Sequence, residues 1–169
     1  YLYGETMTHI LGYVGRINDR DVERLKKEEK FANYAGSTDM GKLGIERYYE
    51  EQLHGTTGFE EVEINKRGKG SRKLREQPGT AGKSIHLTID LALQRYIMSL
   101  LSGQKGAVVV LDPKDNSVLA MVSTPSYDNN LFVDGISASD YKRLLDDPAR
   151  PLYSRATQGV YPPASTVKP

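Results

Sequence analysis

The 169 residues are enough for one domain of ordinary size or two small ones. Hydrophobic residues make up 38% of the chain and charged residues 27%, a composition that favours a packed core under a well-solvated surface. The formal net charge of +1 gives no indication of a nucleic-acid-binding protein. The chain contains no cysteine, which excludes disulfide bonds and thiolate metal sites.

The sequence also lacks the signals of several other classes of protein. No run approaches the roughly 18 apolar residues that a membrane helix requires, and no secretion signal opens the chain. The histidines His9, His54 and His86 show no metal-ligand spacing, so we expect neither a metal nor a cofactor. The chain begins at Tyr1 rather than methionine and stops one residue after Lys168, which predicts a piece of a longer protein.

The first elements predicted along the chain are a strand-and-turn segment and a helix. Residues 1–22 mix aromatic and β-branched residues with glycines, which favours strands and turns, with His9 as a hydrogen-bonded strand residue. Residues 19–30 run from acidic to basic, an order that suits the helix dipole. They predict a short exposed helix with a solvated, charged face.

Apolar residues at helical spacing follow, between two groups of glycines. They predict one amphipathic helix over residues 43–53. Residues 59–65 alternate as a strand does, and the basic, glycine-rich residues 66–73 predict the turn of a hairpin. Residues 76–82 have the composition of a linker, and we place a domain boundary near Thr80.

The next segment has the pattern of a sheet with a helix against it. Residues 84–89 alternate as a strand, and Asp90 is placed to cap a helix over residues 91–101. Gly106–Leu111 is almost continuously apolar, as in a strand buried on both faces, and residues 117–123 return as its antiparallel partner. This order of elements predicts an α+β fold.

The spacing Ser-x-x-Lys occurs three times, at residues 102–105, 139–142 and 165–168. The first copy contains a glycine and predicts a helix end that runs into a loop. The second predicts the charged first turn of a helix capped by Ser139. Only the third has an apolar residue, Val167, between serine and lysine, so it differs from the other two in its surroundings.

The third copy could bring an amine against a serine hydroxyl. Pro162 and Pro163 suit the first turn of a helix, where a missing N–H costs nothing. Lys168 would then share a helical face with Ser165, three residues earlier. An amine whose pKa is lowered by burial can act as the base for a serine nucleophile. The spacing alone also fits a surface serine near a surface lysine.

Residues 151–169, which read PLYSRATQGVYPPASTVKP, strongly resemble the active-serine region of class B penicillin-binding proteins, and most of all the penicillin-binding protein 2 subfamily of rod-shape elongation in Gram-negative bacteria. The family usually has glycine where this chain has Ala164, and asparagine is common where it has Ser154. Residues 124–130, TPSYDNN, resemble the opening of the family's transpeptidase domain. A further match, to the family's non-catalytic pedestal or dimerisation module, lies far upstream at Gly41, Gly44, Glu46, Tyr49, Leu53, Gly55 and Gly58.

The resemblance implies a pedestal (dimerisation) module at residues 1–79 and the first part of a β-lactamase-like transpeptidase domain at residues 80–169, truncated after the active-serine motif. It implies that Ser165 is the nucleophile acylated by penicillin, that Lys168 is its general base, and that the parent protein cross-links peptidoglycan by D,D-transpeptidation. The implied partners are peptidoglycan stem peptides, β-lactams, a SEDS-type glycan polymerase and rod-shape scaffold proteins. The implied location is the periplasmic side of the bacterial inner membrane, with an anchor outside this chain, and no cofactor, metal or nucleic acid is implied.

Other functions stay open at this point. The family's Ser-x-Asn and Lys-Thr-Gly motifs do not follow Lys168, so we expect the 169 residues alone to be inactive. One alternative is a non-catalytic protein-interaction module of the elongation machinery, because residues 1–79 hold no catalytic constellation. Another is a class A β-lactamase or a low-mass carboxypeptidase. In those enzymes the nucleophile usually lies near the start of the catalytic domain, so the long segment before Ser165 favours class B.

Overall fold

The structure is a computed structural model that describes residues 1–64 and 70–162. The described residues form two compact units: a middle unit, Val14–His86, and a C-terminal unit made of Tyr1–Tyr13 and the chain from Leu87 onward. The domain boundary near Thr80 stays a prediction. In chain order the elements are α1 (Gly4–Leu11), β1 (Val14–Arg16), α2 (Asp19–Lys27), α3 (Phe31–Tyr34), β2 (Asp39–Gly41), α4 (Gly44–Tyr48), α5 (Glu50–His54), β3 (Phe59–Ile64), β4 (Gly70–Gln77), α6 (Leu91–Leu100), β5 (Gly106–Leu111), β6 (Val118–Thr124), a 3₁₀ helix (Asn129–Phe132), α7 (Ala138–Asp146) and α8 (Arg155–Gln158).

The predicted α+β class is confirmed, and the strand pairs of the described residues are antiparallel. In the middle unit, β1 pairs with β2. Helix α2 begins with a capping box in which Asn18 and Asp21 each accept the other's backbone N–H at 3.0 Å, which confirms the helix predicted there. Its buried Leu25 packs against Tyr34 and Met40 to form the core of this unit.

The single helix predicted over residues 43–53 is wrong, because the chain breaks at Tyr49 into α4 and α5. Glu50, the first residue of α5, explains the break. Its carboxylate accepts the backbone N–H of Gly41 at 2.7 Å and the hydroxyl of Tyr34 at 3.2 Å. These bonds tie the first residue of α5 to β2 and to Tyr34.

The antiparallel pair β3 and β4 confirms the predicted hairpin, but residues 70–73, which were predicted as part of its turn, belong to β4. The residues of its connection, 65–69, lie outside the described residues. Strand β4 continues through Glu76 and Gln77, which the sequence assigned to a linker. Lys73 contacts the carboxylates of Glu60 at 3.1 Å and Glu76 at 2.8 Å. One ion pair therefore crosses from β4 to β3, and the other runs along β4 towards its C-terminal end.

In the C-terminal unit, α6 packs on the β5–β6 ribbon around a core of Ile97, Ala120 and Val122. Asp90 caps α6 as predicted, accepting the N–H of Leu93 at 3.0 Å. The prediction that β5 is buried on both faces is wrong, since Val109 is 48% exposed. Among the described residues, α6 covers one face of the ribbon, so alternate β5 side chains stay in solvent.

Two further local predictions, the strand at residues 84–89 and the cap of α7, are also wrong. Residues 84–89 form no strand; this segment contacts β6 through the Thr88 hydroxyl, which donates to the Val118 carbonyl at 2.7 Å. Helix α7 is capped by Ser137 rather than Ser139, because the Ser137 hydroxyl accepts the N–H of Asp140 at 3.0 Å. A serine caps a helix only from the residue before the first turn, so one position in register decides which serine does it.

Helix α1 occupies the segment predicted as strand and turn. Met7 and Ile10 lie one turn apart and both are buried. The helix contacts α6, β6 and the 3₁₀ helix, and it ends at Leu11, followed by Gly12 with a φ of 73°. Burial of one helical face therefore outweighs the strand propensity of the aromatic and β-branched residues.

Candidate functional site

The predicted nucleophile Ser165 and base Lys168 lie outside the described residues, which end at Pro162. The structure therefore shows what leads up to them along the chain. The last described element is α8. Its contacts in the C-terminal unit fix the position from which the chain continues towards Ser165.

Helix α8 is anchored to the sheet by a buried serine. The hydroxyl of Ser123, on β6 and 3% exposed, accepts the backbone N–H of Arg155 at 2.9 Å. Ser154, which precedes the helix, is also buried, and the Thr157 hydroxyl donates to its oxygen at 2.7 Å. Serine at a position where the family often has asparagine therefore has a partner within the helix it precedes.

The guanidinium group of Arg155 forms hydrogen bonds to the loop before α8. It donates to the carbonyl oxygens of Ala149 at 2.6 Å, Arg150 at 3.3 Å and Tyr153 at 3.5 Å. It also lies 5.8 Å from the centre of the Tyr153 ring, within cation–π range. The Tyr153 hydroxyl in turn donates to the carbonyl of Gln158 at 2.6 Å. One side chain thus connects the loop before α8 to the helix itself.

Two buried amide side chains attach α1 to the rest of the C-terminal unit, and sequence reasoning missed both. Gln94 donates to the carbonyls of Thr6 at 3.0 Å and Met121 at 2.9 Å, and accepts the N–H of Met121 at 2.8 Å. Asn129 donates to the carbonyl of Gly12 at 2.7 Å. A polar residue inside an amphipathic helix pattern gives no sequence signal of this role, although buried amides need such partners.

His9 is half-buried in the same contact between α1 and the rest of the C-terminal unit, and it lies on a helix, not on the predicted strand. Its ring meets Tyr127 edge to face at 5.7 Å, and its Nε2 has no hydrogen-bond partner among the described residues. Burial lowers the pKa of His9 below its ordinary value of 6.5, and the charge of Arg155 lowers it further. Burial also raises the pKa of Tyr127 to about 12, so that ring stays neutral.

The lowered pKa of His9 predicts a loss of stability in mild acid. As pH falls through 6.5, the unfolded chain binds a proton at this position before the folded chain does, so the free energy of unfolding decreases. Thermal midpoints of the whole protein at pH 7.5 and 5.5 should therefore differ more in the wild type than in His9→Gln. The exposed His86 provides the control, and His86→Gln should keep the wild-type difference. An equal pH dependence in wild type and His9→Gln would contradict this prediction.

Two family models match the chain. The penicillin-binding protein dimerisation domain matches residues 1–87, and the penicillin-binding protein transpeptidase domain matches residues 106–169. The chain belongs to the penicillin-binding proteins. The resemblance found in the active-serine stretch and in the glycine-marked segment is thereby confirmed.

The penicillin-binding protein is 83% identical, over its full 169 residues, to the peptidoglycan D,D-transpeptidase MrdA of Haemophilus influenzae, and covers 26% of that relative. It is 43% identical to Pseudomonas aeruginosa PBP2 in complex with WCK 5153, with a TM-score of 0.81 over 98% of this chain and 32% of the other. It is 29% identical to PBP2 in the Helicobacter pylori complex with MreC, with a TM-score of 0.84 over 96% of this chain and 29% of the other. The chain therefore spans about a quarter to a third of these relatives.

The other two Ser-x-x-Lys copies of this penicillin-binding protein have structural surroundings. Ser102 and Lys105 follow the end of α6, and Lys105 donates to the Pro148 carbonyl at 3.4 Å. Ser139 lies in the first turn of α7, with its hydroxyl 3.0 Å from that of Ser137. In neither copy does a hydrogen bond join the serine and lysine side chains, so neither is prepared for nucleophilic chemistry.

The middle unit contains a serine–histidine hydrogen bond that is structural. The Ser37 hydroxyl lies 2.7 Å from Nε2 of His54, whose ring stacks on Tyr34 at 4.1 Å. The other ring nitrogen of His54 lies 3.4 Å from the Gly55 carbonyl. A catalytic base needs an orienting carboxylate or its equivalent, but the nearby Glu50 bonds to Tyr34 and Gly41 instead. The pair joins the segment after α3 to the end of α5.

Residues 1–64 and 70–162 contain no cluster of three or more His, Asp or Glu side chains able to hold a metal ion. Within the same ranges, no helix combines the length and the apolar composition needed to cross a membrane.

Proposed function

We propose that the whole protein to which this chain belongs cross-links peptidoglycan as a serine D,D-transpeptidase, with Ser165 as nucleophile and Lys168 as general base. The supporting observation is the 83% identity over all 169 residues with a peptidoglycan D,D-transpeptidase. The chain also holds serine and lysine three residues apart, behind two prolines that suit the start of a helix.

The proposed reaction has two acyl transfers. The Ser165 hydroxyl attacks the carbonyl carbon of the penultimate D-alanine of a stem peptide, and its proton passes to the neutral amine of Lys168. The tetrahedral intermediate expels the terminal D-alanine, whose amine takes up that proton, and an ester to Ser165 remains. An amine from a neighbouring stem peptide then attacks the ester, which restores the serine hydroxyl and forms the new amide cross-link.

Penicillins would follow the first half of this reaction. Their strained β-lactam amide presents a carbonyl to Ser165, and ring opening leaves a covalent ester without releasing the leaving group. The amine that would resolve the acyl-enzyme has no open path while the opened ring stays attached. Penicillin should therefore act as a covalent inhibitor and as a label for Ser165.

We also infer partners and location from the relatives. A PBP2 from Helicobacter pylori has been solved with MreC, which supports a rod-shape scaffold protein as a partner of the whole protein. In the middle unit, Tyr48 is 81% exposed and Leu43 45% exposed, so this unit has apolar surface available for a non-catalytic docking role. A SEDS-type glycan polymerase is the further partner we propose, and the periplasmic face of the inner membrane is the location where peptidoglycan is cross-linked.

The function is tested by incubating the purified whole protein with peptidoglycan precursors that carry pentapeptide stems. We expect release of D-alanine together with formation of cross-linked dimers, and loss of both after preincubation with benzylpenicillin. Release without cross-links would make the protein a carboxypeptidase. Neither product, from protein that is folded by circular dichroism, would overturn the proposed function.

A further inference from the structure

Helix α8 is too short to be stable by itself. It has one turn, and isolated helices of this length do not form in water. Its place in the C-terminal unit must therefore come from contacts with its surroundings. Because Ser165 lies ten residues after Arg155, these contacts set the starting point of the stretch that contains the proposed nucleophile.

Arg155 supplies most of these contacts. Its backbone N–H is fixed to the buried Ser123 hydroxyl at 2.9 Å, and its guanidinium group holds the carbonyls of Ala149 at 2.6 Å and Arg150 at 3.3 Å. Arg150 has a φ of 52°, a left-handed conformation that non-glycine residues rarely adopt. The contact with its carbonyl helps to hold this turn.

The charge of Arg155 is used in an unusual way for an arginine near the protein surface. Among the described residues, no carboxylate lies within ion-pair distance of it, and its donors face backbone carbonyls and one aromatic ring. The planar fork of five N–H donors suits several carbonyls at once, which a lysine ammonium at the same position could not reach together. The side chain therefore organises backbone rather than balancing a neighbouring charge.

The chain also passes close to Arg155 on its way out of α8. A Cβ added at Gly159 would overlap the carbonyl oxygen of Arg155 and the ring of Tyr161. The Arg155 carbonyl oxygen and the Tyr161 ring therefore both lie close to Gly159. The Arg155 side chain is fixed to the loop before the helix. It reaches the end of the helix through Tyr153, whose ring centre lies 5.8 Å from the guanidinium group and whose hydroxyl donates to the Gln158 carbonyl at 2.6 Å.

We propose that Arg155 is a positioning residue for the acylation step: by holding the loop before α8 and, through Tyr153, the end of the helix in one arrangement, it sets the direction in which the chain leaves α8 towards Ser165. This inference rests on the proposed function, since it assumes that Ser165 is the nucleophile. The proposed role is exerted through the backbone, and we assign Arg155 no direct action on the substrate.

The test uses saturation kinetics of acylation by a fluorescent penicillin on the whole protein, which separate the maximal acylation rate constant from the half-saturating concentration. We expect Arg155→Ala and Arg155→Lys to lower the maximal rate constant by about ten- to hundredfold, since small displacements of a reacting group have effects of this size. The half-saturating concentration should change by less than about threefold. Arg95→Ala, which removes an exposed arginine on α6, is the matched control and should behave as wild type.

Chemical rescue separates positioning from a general loss of fold. Millimolar guanidinium chloride should restore part of the maximal rate constant of Arg155→Ala, while equal concentrations of sodium or ammonium chloride should not. Rates are compared per folded molecule, and Arg155→Lys carries the test should Arg155→Ala fail to fold. Rate constants within about twofold of wild type for the folded variants would overturn the proposal. Failure of the wild type itself to be labelled, or labelling that survives Ser165→Ala, would instead overturn the proposed function.

Discussion

Replacing Ser165 with alanine is expected to abolish covalent labelling of the whole protein by penicillin, with a fall in acylation rate of about a thousandfold or more. In the proposed reaction the hydroxyl oxygen forms the ester, and catalytic units that lose their nucleophile retain only the residual contribution of binding and electrostatics. Lys168→Ala should lower the rate almost as far, because a nucleophile and its proposed base act as a unit. In-gel fluorescence with a fluorescent penicillin measures both losses.

The chain provides its own controls for this experiment. Ser102→Ala and Ser139→Ala alter the serines of the other two Ser-x-x-Lys copies, which lie after α6 and in the first turn of α7. Both variants should be labelled at the wild-type rate. Wild-type labelling of Ser165→Ala, or loss of labelling in either control, would place the nucleophile elsewhere.

Replacing Gly41 with alanine is expected to unfold much of the middle unit, at a cost of about 3 kcal/mol or more. Gly41 is buried on β2, and a Cβ there would overlap the backbone carbonyl of Glu46 and come within 2.7 Å of the Glu50 carboxylate. That carboxylate accepts the Gly41 N–H and fixes the start of α5, so the overlap cannot be relieved by a side-chain rotation alone. Overlap with backbone forces β2 and α4 apart.

Hydrogen exchange of the whole protein localises this effect. Amides of Val14–His86 should exchange about a hundredfold faster in Gly41→Ala, whereas those of α6, β5 and β6 should keep their protection. Gly36→Ala is the matched control, because a Cβ at Gly36 meets no atom within 4 Å. Wild-type exchange in Gly41→Ala would show that the close approach of β2 and α4 does not exist in solution.

Gly41 shows what could be predicted from the sequence and what required the structure. The pattern of glycines around residues 41–58 indicated the family's pedestal, but not why Gly41 must lack a side chain. That reason is a close approach of backbones, which no local pattern encodes. The same holds for Tyr49, where periodicity predicted one helix and the hydrogen bonds of Glu50 produce two.

Elements with local signals were predicted well. Asp90 before an apolar periodic run predicted the cap and helix α6, and the acidic-to-basic order of residues 19–30 predicted α2. Helix α1 was missed because its stability comes from burying Met7 and Ile10 against distant parts of the chain. The roles of Gln94 and Asn129 were missed for the same reason, since their partners lie far away in sequence.

For the site itself, the sequence predicted a nucleophile and a base, and the structure describes the helix that precedes them. Ser165 and Lys168 stay predictions from motif and resemblance, because they lie outside the described residues. The anchoring of α8 by Ser123 and Arg155 had no sequence signal apart from the stretch that resembles the family. A serine–arginine contact across 32 positions is formed only when β6 and α8 come together.

Peptide mapping of the whole protein after reaction with benzylpenicillin tests the central claim most directly. The protein is acylated, digested and examined by tandem mass spectrometry for a mass increase equal to one opened penicillin. We predict a single modified peptide, with the adduct on Ser165 and none on Ser102 or Ser139. An adduct on another serine, or unmodified Ser165 in protein that is fully labelled, would contradict the account.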